Sequence, residues 1–273
     1  MTDSYAVIGN PIAQSKSPMI HAAFAELTGQ DLVYDKMEGP INGFEAAVDA
    51  FRAAGGKGLN ITAPFKLKAA AYATHVSERV KLSGAANAMK FDDEQILAEN
   101  FDGIGLVRDV THNLNFPLKG KRVLMLGAGG AARGALLPFL AEQPAELVLA
   151  NRTLQRAMDL ASIGAQQGRV RSSSYAELAG QTFDVVFNAT SASLRGELPP
   201  VPVTVFSKCT LAYELAYGKG LTPFLRLAAN SGVRQLADGV GMLTEQAAEA
   251  FFWWRGVRPD TARMIAQLTV PLA

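Results

Sequence analysis

A glycine-rich turn at positions 127–132 carries the clearest chemical signal in the chain. An apolar segment, Val123-Leu124-Met125-Leu126, leads into Gly127-Ala128-Gly129-Gly130-Ala131-Ala132 and then into a helical pattern. Gly127 can adopt the tight turn that leaves a strand, and Gly129 has no side chain to keep a pyrophosphate away from the backbone. Because a helix N-terminus presents unpaired N–H groups to phosphates, the sequence predicts a dinucleotide-binding turn here.

The end of the following strand indicates which dinucleotide is bound. The apolar segment 146–150 ends in Asn151-Arg152-Thr153, and Arg156 follows one helical turn after Arg152. An NAD site usually carries Asp or Glu here to accept from the ribose 2′-hydroxyl, whereas an arginine fork binds a 2′-phosphate. One charge-assisted contact contributes about 1.5–3 kcal/mol, so the sequence predicts a roughly 10–150-fold preference for NADP. A solvated helix start with incidental arginines is the alternative.

Lys66 is a candidate for moving a proton. It ends the stretch Asn60-Ile61-Thr62-Ala63-Pro64-Phe65-Lys66, which follows a short buried strand. We expect Thr62 to cap the next helix and Pro64 to lie just inside it, which places Lys66 in the first helical turn. The helix dipole is positive at that end and disfavours a cation, so the position suits proton transfer. An ordinary exposed lysine is the alternative interpretation.

Asp102 is also expected at the start of a helix, where the helix dipole favours its negative charge. It occupies the expected N-cap of a helix that runs from Asp102 to about Asn113, where an ionised carboxylate is favoured. The functional interpretation is a carboxylate that orients Lys66 and binds a substrate hydroxyl, and plain capping is the alternative. Asn87 adds a donor and an acceptor on a loop, where binding residues tend to lie.

Two serines mark the start of an earlier helix. Ser15 and Ser17 flank Lys16, and Pro18 follows. We expect Ser17 to be the N-cap and Pro18 the first helical residue. Capping does not explain Ser15, and two hydroxyls at a helix N-terminus form a plausible seat for a substrate carboxylate.

The elements that position these residues alternate between strand and helix patterns. Strands are expected at 5–8, 32–36, 58–61, 123–126, 146–150, 184–188 and 211–214, and helices at 17–27, 44–53 and 243–255 among others. This alternation predicts an α/β protein with a mostly parallel, three-layer first domain, followed by a Rossmann-type domain. We expect residues 1–101 and 237–273 to form the substrate-binding domain and 102–236 the NADP-binding domain, with the ligand in a cleft between them.

Composition excludes several classes of partner. The chain has 273 residues, 49% of them hydrophobic and 19% charged, which indicates a globular protein with a substantial core. A net charge of +1 argues against nucleic acid or an acidic membrane as the main partner. Cys209 is the single cysteine, so no internal disulfide forms, and a reducing, cytoplasmic location is expected. The start of the chain has no secretory-signal pattern, and the three histidines lack metal-ligand spacing, so no metal is expected.

Nine motifs in order resemble those of the shikimate dehydrogenases over essentially the whole chain. They are Gly9-Asn10-Pro11-Ile12-Ala13-Gln14-Ser15-Lys16-Ser17-Pro18, the segment 56–66, Gly84-Ala85-Ala86-Asn87, Asp102-Gly103-Ile104-Gly105, the glycine turn, Asn151-Arg152-Thr153, Asn188-Ala189-Thr190-Ser191, and the segments 218–224 and 238–243. The resemblance implies an NADP-linked oxidoreductase that interconverts 3-dehydroshikimate and shikimate on the way to chorismate and the aromatic amino acids. It also implies a small-molecule substrate and a monomer or homodimer.

The resemblance assigns roles to individual positions. Lys66 and Asp102 would be the catalytic acid–base pair. Ser15 and Ser17 would hold the substrate carboxylate, and the remaining substrate-binding residues would be Asn60, Thr62, Asn87, Tyr217 and Gln246. The cofactor-binding residues would be Gly127, Ala128, Gly129, Gly130, Ala131, Asn151, Arg152, Thr153, Arg156, Asn188, Thr190 and Gly239.

The chain departs from the family pattern near the expected substrate-binding site. Phe101 and Ala88 stand where the family usually has threonine, and Glu214-Leu215 replaces an aspartate followed by methionine. A lost hydroxyl that contacts substrate leaves its partner unpaired and costs about 1–3 kcal/mol. We therefore expect a relative with intact chemistry and reduced shikimate turnover. A quinate or aminoshikimate dehydrogenase and a non-catalytic NADPH-binding sensor, in which Phe101 blocks the pocket, remain as alternatives.

Overall fold

The chain folds into two compact units. A computed structural model describes residues 2–92 and 94–272. Unit 1 contains the chain up to Gly105 together with Thr244–Met264, and unit 2 contains Leu106–Leu243 and the chain from Ile265 onward. The C-terminal segment from Ile265 thus groups with unit 2 rather than with the first domain as expected. The reason is apolar packing, since Leu272 lies against a buried cluster of unit 2. The roles of the two units as substrate and cofactor domains stay predictions.

Unit 1 is built on a six-stranded mixed sheet. Its strands are β1 (Asp3–Gly9), β2 (Leu32–Glu38), β3 (Gly56–Ile61), β4 (His75–Val76), β5 (Ala88–Asp92) and β6 (Gln95–Glu99), in the order β2-β1-β3-β5-β6-β4. The first three strands pair in parallel, as expected, but β5 pairs antiparallel with both β3 and β6. The expectation of a mostly parallel sheet therefore fails for the β5–β6 hairpin, which the sequence pattern did not reveal.

Five helices accompany that sheet in the first part of the chain. They are α1 (Ser17–Thr28), α2 (Phe44–Ala53), α3 (Lys66–Tyr72), α4 (Glu78–Ser83) and α5 (Asp102–Arg108), and α5 continues as a π-helical turn, Asp109–Asn113. The expected helices at 17–27 and 44–53 agree with α1 and α2, and the expected helical run from Asp102 to Asn113 is present as α5 and the π-helical turn. Lys66 is the first residue of α3, so its predicted place in the first helical turn is confirmed.

Three predicted helix caps are wrong. The N-cap of α1 is Lys16, and the Ser17 N–H donates to Ser15 Oγ at 3.3 Å, so Ser15 rather than Ser17 supplies the capping hydroxyl. The N-cap of α3 is Phe65, which leaves Thr62 and Pro64 outside the helix. Asp102 is the first residue of α5, and its N–H donates to Asn100 Oδ1 at 3.1 Å.

Unit 2 contains a fully parallel six-stranded sheet. Its strands are β7 (Arg122–Leu126), β8 (Glu146–Ala150), β9 (Val170–Ser173), β10 (Val185–Asn188), β11 (Leu211–Glu214) and β12 (Gln235–Asp238), in the order β12-β11-β10-β7-β8-β9. This is the doubly wound strand order of the Rossmann fold, whose direction reverses between β7 and β10. Dinucleotides bind at that point, beyond the carboxyl ends of the strands.

The sheet of unit 2 is buried on both faces. Along β7, Val123 and Met125 belong to one apolar cluster, whereas Leu124 and Leu126 belong to the other. Covered faces explain why β7 is continuously apolar rather than alternating. The later helices are α6 (Gly130–Ala141), α7 (Leu154–Gly164), α8 (Pro223–Asn230), α9 (Val240–Arg255) and α10 (Ala262–Leu268). Within the described residues, none of the helices has the length and apolar character to cross a membrane.

A buried carboxylate fixes the first turn of α9 in unit 2. Asp109 is 3% exposed, and its Oδ2 accepts from Tyr213 Oη at 2.7 Å while its Oδ1 accepts from Asn113 Nδ2 at 3.0 Å. Gly241 packs so closely that a Cβ there would lie 1.9 Å from Asp109 Oδ1. The carboxylate is already held by two donors, so it cannot move aside at low cost.

We expect Gly241→Ala to destabilise the protein by about 1–3 kcal/mol through overpacking. Thermal unfolding in the absence of ligands measures this loss. Gly130→Ala is the matched control, because a Cβ at Gly130 meets no atom within 4 Å and the residue also lies in a first helical turn. Equal melting temperatures for the two variants would contradict the steric argument.

Candidate active site

Lys66 and Asp102 meet in unit 1. Lys66 Nζ lies 2.6 Å from Asp102 Oδ2, and their side chains are 33% and 13% exposed. Lys66, the first residue of α3, and Asp102, the first residue of α5, therefore form an ion pair. The Nζ keeps access to solvent or ligand, while the carboxylate is largely enclosed. A pair of this kind can hold a hydroxyl group and pass its proton.

Asn87 joins two further residues to this pair. Its Nδ2 donates to Asp102 Oδ1 at 2.7 Å and to Gln246 Oε1 at 3.1 Å, and its Oδ1 accepts from the Phe101 N–H at 2.8 Å. Both amide hydrogens of Asn87 are thus used within the protein. Asn87 therefore orients the Asp102 carboxylate and the Gln246 side chain.

The other expected substrate residues of unit 1 surround the carboxyl ends of β1 and β3. Asn60 is 5% and Ser17 7% exposed, whereas Ser15 and Thr62 are half-buried. Thr62 packs against Gly9, where a Cβ would lie 2.4 Å from Thr62 Cγ2.

The glycine turn of unit 2 has the expected geometry. Gly127 has φ +108°, a conformation that favours glycine, and a Cβ there would lie 3.0 Å from the Ala189 carbonyl oxygen. The turn therefore contacts the loop after β10, at the point where the strand order reverses. At Gly129 and Gly130 a Cβ would meet no atom within 4 Å, so the backbone at the start of α6 is open to approach. Ala132 is fully buried in the core, as close helix–sheet packing requires.

Two arginines that follow β8 have side chains exposed to solvent. Asn151 Nδ2 donates to the Thr153 carbonyl oxygen at 2.9 Å and closes the turn before α7. Arg152 and Arg156 are exposed on this turn and on the first part of α7. Two guanidinium groups beside the carboxyl end of β8 provide the donor set that fits a phosphate. The open glycine turn and these arginines are consistent with a phosphorylated dinucleotide.

The loop after β10 is anchored by a buried acid that the motif analysis noted only as a departure. Asn188 Nδ2 donates to Glu214 Oε2 at 2.9 Å, and the hydroxyls of Ser193 and Thr222 also donate to that oxygen. Burial raises the pKa of Glu214, which is fully buried, although hydrogen bonds from Ser193 and Asn188 oppose the shift. Asn188 Oδ1 in turn accepts from Thr190 Oγ1 at 2.7 Å. Glu214 therefore shapes the loop that carries two expected cofactor residues.

The last two expected residues of unit 2 lie near the ends of β11 and β12. Gly239 is buried, and a Cβ there would lie 2.2 Å from the Leu215 carbonyl oxygen, so no larger residue fits. Tyr217 is 40% exposed. Asp238 precedes Gly239 and accepts from the N–H groups of Val240 and Gly218.

Comparison with known proteins identifies the family. The model of the shikimate dehydrogenase substrate binding domain matches residues 7–89, the shikimate / quinate 5-dehydrogenase model matches 109–195, and the shikimate 5′-dehydrogenase C-terminal domain matches 239–269. A protein of Nitrosospira multiformis named shikimate dehydrogenase (NADP(+)) is 54% identical over 98% of this chain and 98% of its own length. The chain belongs to the shikimate dehydrogenase family. A namesake from Dechloromonas aromatica is 53% identical over 100% of this chain and 99% of its own.

Solved structures support the family and its fold. The crystal structure of an Ael1 enzyme from Pseudomonas putida has a TM-score of 0.98 and 60% identity, and the match covers 100% of both chains. The shikimate 5-dehydrogenase of Thermus thermophilus, in complex with NADP(H) and shikimate, has a TM-score of 0.86 and 30% identity over 97% of this chain and 98% of its own. The resemblance inferred from the nine motifs, the α/β fold class and the assignment to an NADP-linked oxidoreductase family are confirmed.

Proposed function

We propose that the protein interconverts 3-dehydroshikimate and shikimate with NADP, as a cytoplasmic monomer or homodimer acting on small molecules. The observation that carries this proposal is the contact between Lys66 Nζ and Asp102 Oδ2, at 2.6 Å in a chain of this family. Local chain geometry does not explain this contact, because Lys66 and Asp102 are 36 positions apart in the sequence.

In the proposed reaction, bound NADP supplies the hydride acceptor or donor. When the alcohol is oxidised, Lys66 Nζ would accept the hydroxyl proton, and in the reverse direction it would return that proton to the carbonyl oxygen. Asp102 holds the Lys66 side chain through its Oδ2, and Asn87 keeps the carboxylate in place through Oδ1. Such positioned proton transfer contributes about 10²–10⁴-fold to a rate.

The remaining roles follow the expected assignments. We assign the substrate carboxylate to Ser15 and Ser17, and the ring hydroxyls and pocket wall to Asn60, Thr62, Asn87, Gln246 and Tyr217. We assign the cofactor pyrophosphate to the glycine turn at 127–131, the 2′-phosphate to Arg152 and Arg156 with Asn151 and Thr153, and the nicotinamide side to Asn188, Thr190 and Gly239. The open backbone at Gly129 and the exposed guanidiniums support the cofactor part of this assignment.

Phe101 does not project from the site as a blocking group. Its side chain is 5% exposed and lies in an apolar cluster of unit 1 that also contains Ala88 and Tyr34. Its ring meets that of Trp253 edge-on, with centroids 5.7 Å apart. The large residue at 101 and the small one at 88 therefore belong to one packed core. This placement removes the support for a sensor with a blocked pocket and leaves the two missing hydroxyls as the reason to expect weaker shikimate turnover.

Steady-state kinetics test the proposal. We expect NADP-dependent oxidation of shikimate with a kcat/KM in the lower part of the enzymatic range, about 10⁴–10⁵ M⁻¹ s⁻¹. A value near the diffusion limit would contradict reduced turnover. Quinate and an aminoshikimate, measured beside shikimate with both NADP and NAD, test the alternative substrates. NADPH binding without turnover of any of these acids would contradict the enzymatic proposal.

A further inference from the structure

Tyr34 and His21 form a pair of buried rings in unit 1, and Tyr34 contacts Asn60. Tyr34 is 8% exposed and His21 is 1% exposed, and neither residue has a place in the proposed reaction. Tyr34 Oη donates to Asn60 Oδ1 at 2.6 Å. Asn60 Nδ2 donates to the Asn87 carbonyl oxygen at 3.3 Å. Because a backbone carbonyl only accepts, these contacts fix which way the Asn60 amide faces.

The orientation of this amide decides what Asn60 can offer to a ligand. Its oxygen accepts from the Tyr34 hydroxyl, so the second hydrogen of the amide nitrogen, beyond the one given to Asn87, is what Asn60 can donate to a ligand. Without Tyr34 Oη the amide would lose one of the two contacts that orient it.

His21 holds the Tyr34 ring in its plane. The two rings stack with centroids 4.1 Å apart and an angle of 3° between their planes. The rings of Phe251 and Trp254 also pack near His21, with centroids 6.1 and 5.5 Å from the imidazole centroid. Burial lowers the pKa of His21 to about 3, so the imidazole stays neutral at ordinary pH. Burial also raises the pKa of Tyr34 well above its usual value, which keeps the phenol protonated and able to donate.

The contacts continue from Asn60 to the catalytic pair. Asn60 Nδ2 donates to the backbone of Asn87, whose side chain donates to Asp102 Oδ1 at 2.7 Å. We infer that Tyr34 is a positioning residue, which sets the Asn60 amide as a donor toward a substrate hydroxyl without touching the substrate itself. This inference rests on the proposed function, which assigns Asn60 to substrate binding and shikimate as the ligand.

Tyr34→Phe removes the hydroxyl and keeps the stacked ring. We expect the KM for shikimate to rise about 5–30-fold, the effect of one buried hydrogen bond, while kcat changes less than about twofold. The KM for NADP should not change. Tyr5→Phe is the matched control, because Tyr5 belongs to the same apolar cluster and its hydroxyl contacts Arg255 rather than Asn60. The control should leave the KM for shikimate unchanged.

A double-mutant cycle separates positioning from a general loss of stability. If Tyr34 acts through Asn60, then Tyr34→Phe should not raise the KM further in an Asn60→Ala protein. Additive effects, an unchanged KM in Tyr34→Phe, or a Tyr34→Phe protein that fails to fold while Tyr5→Phe folds would each overturn the inference. Wild-type turnover of shikimate in the same assay tests the proposed function separately. If that turnover is absent, a crystal structure of Tyr34→Phe decides, with an unmoved Asn60 amide contradicting the inference.

Discussion

Replacing Lys66 with alanine is expected to lower kcat by about 10²–10⁴-fold with only a modest change in KM, because the residue acts on the proton in the transition state. Its Nζ lies 2.6 Å from Asp102 Oδ2, and no other amine is placed on that carboxylate by the hydrogen bonds of the described residues. Removing the side chain therefore removes the proton carrier while the other residues assigned to substrate binding stay in place. Steady-state kinetics with shikimate and NADP at saturating concentrations measure the loss.

Two further variants at this helix sharpen the test. Lys68→Ala is the matched control, since Lys68 lies on the same helix and its Nζ donates to the Ile41 carbonyl oxygen rather than to Asp102. It should retain the wild-type kcat. Lys66→Arg keeps a positive charge beside Asp102 but carries a guanidinium that does not deprotonate in proteins. We expect kcat to stay low in this variant, and recovery of activity would show that charge alone is sufficient.

The sequence predicted most reliably the features that depend on a local pattern. The order strand, glycine turn and helix around Gly127 has a local physical cause, because the turn needs a positive φ and the strand needs continuous apolar residues. The structure shows both, with φ +108° at Gly127 and β7 buried on both faces. The proximity of Lys66 and Asp102 was one of two interpretations of these residues and was implied by the resemblance, since no spacing rule links positions on α3 and α5.

The helix caps were predicted wrongly because tertiary packing overrode local preference. Ser17 is a good capping residue by type, but it is buried, and Ser15 provides the oxygen instead. At α3 the ring of Phe65 is fully buried and stacks on Phe44 with centroids 5.1 Å apart. Burial of that ring determines the path of the chain before Lys66, so Thr62 does not cap the helix.

The hairpin of β5 and β6 and the contacts of Tyr34 lay outside what sequence patterns reveal. The hairpin strands read Ala-Met-Lys-Phe-Asp and Gln-Ile-Leu-Ala-Glu, with a single β-branched residue between them, so propensity did not indicate strands. Tyr34 belongs to an apolar strand pattern and looks like an ordinary core residue. Its hydrogen bond to Asn60 joins residues 26 positions apart, and only the pairing of β1 with both β2 and β3 brings them together.

Arg152→Ala is expected to raise the KM for NADP by about 10–150-fold, which corresponds to the loss of one charge-assisted contact of about 1.5–3 kcal/mol. The KM for NAD should not rise, because NAD lacks the 2′-phosphate. The guanidinium is exposed beside the carboxyl end of β8, where a ligand phosphate can reach it. Its removal should therefore change cofactor affinity and leave thermal unfolding of the free protein unchanged.

Arg169→Ala provides the matched control for charge and exposure. Arg169 immediately precedes β9, its side chain is 78% exposed, and its Nε lies 3.8 Å from Glu146 Oε1. It thus stands at the amino ends of the parallel strands, whereas dinucleotides bind beyond their carboxyl ends. A general effect of net charge on an anionic cofactor would raise the KM equally in both variants. Equal losses for NADP and NAD in Arg152→Ala would show that the residue acts on the shared part of the dinucleotide, and the assignment of the 2′-phosphate would then pass to Arg156.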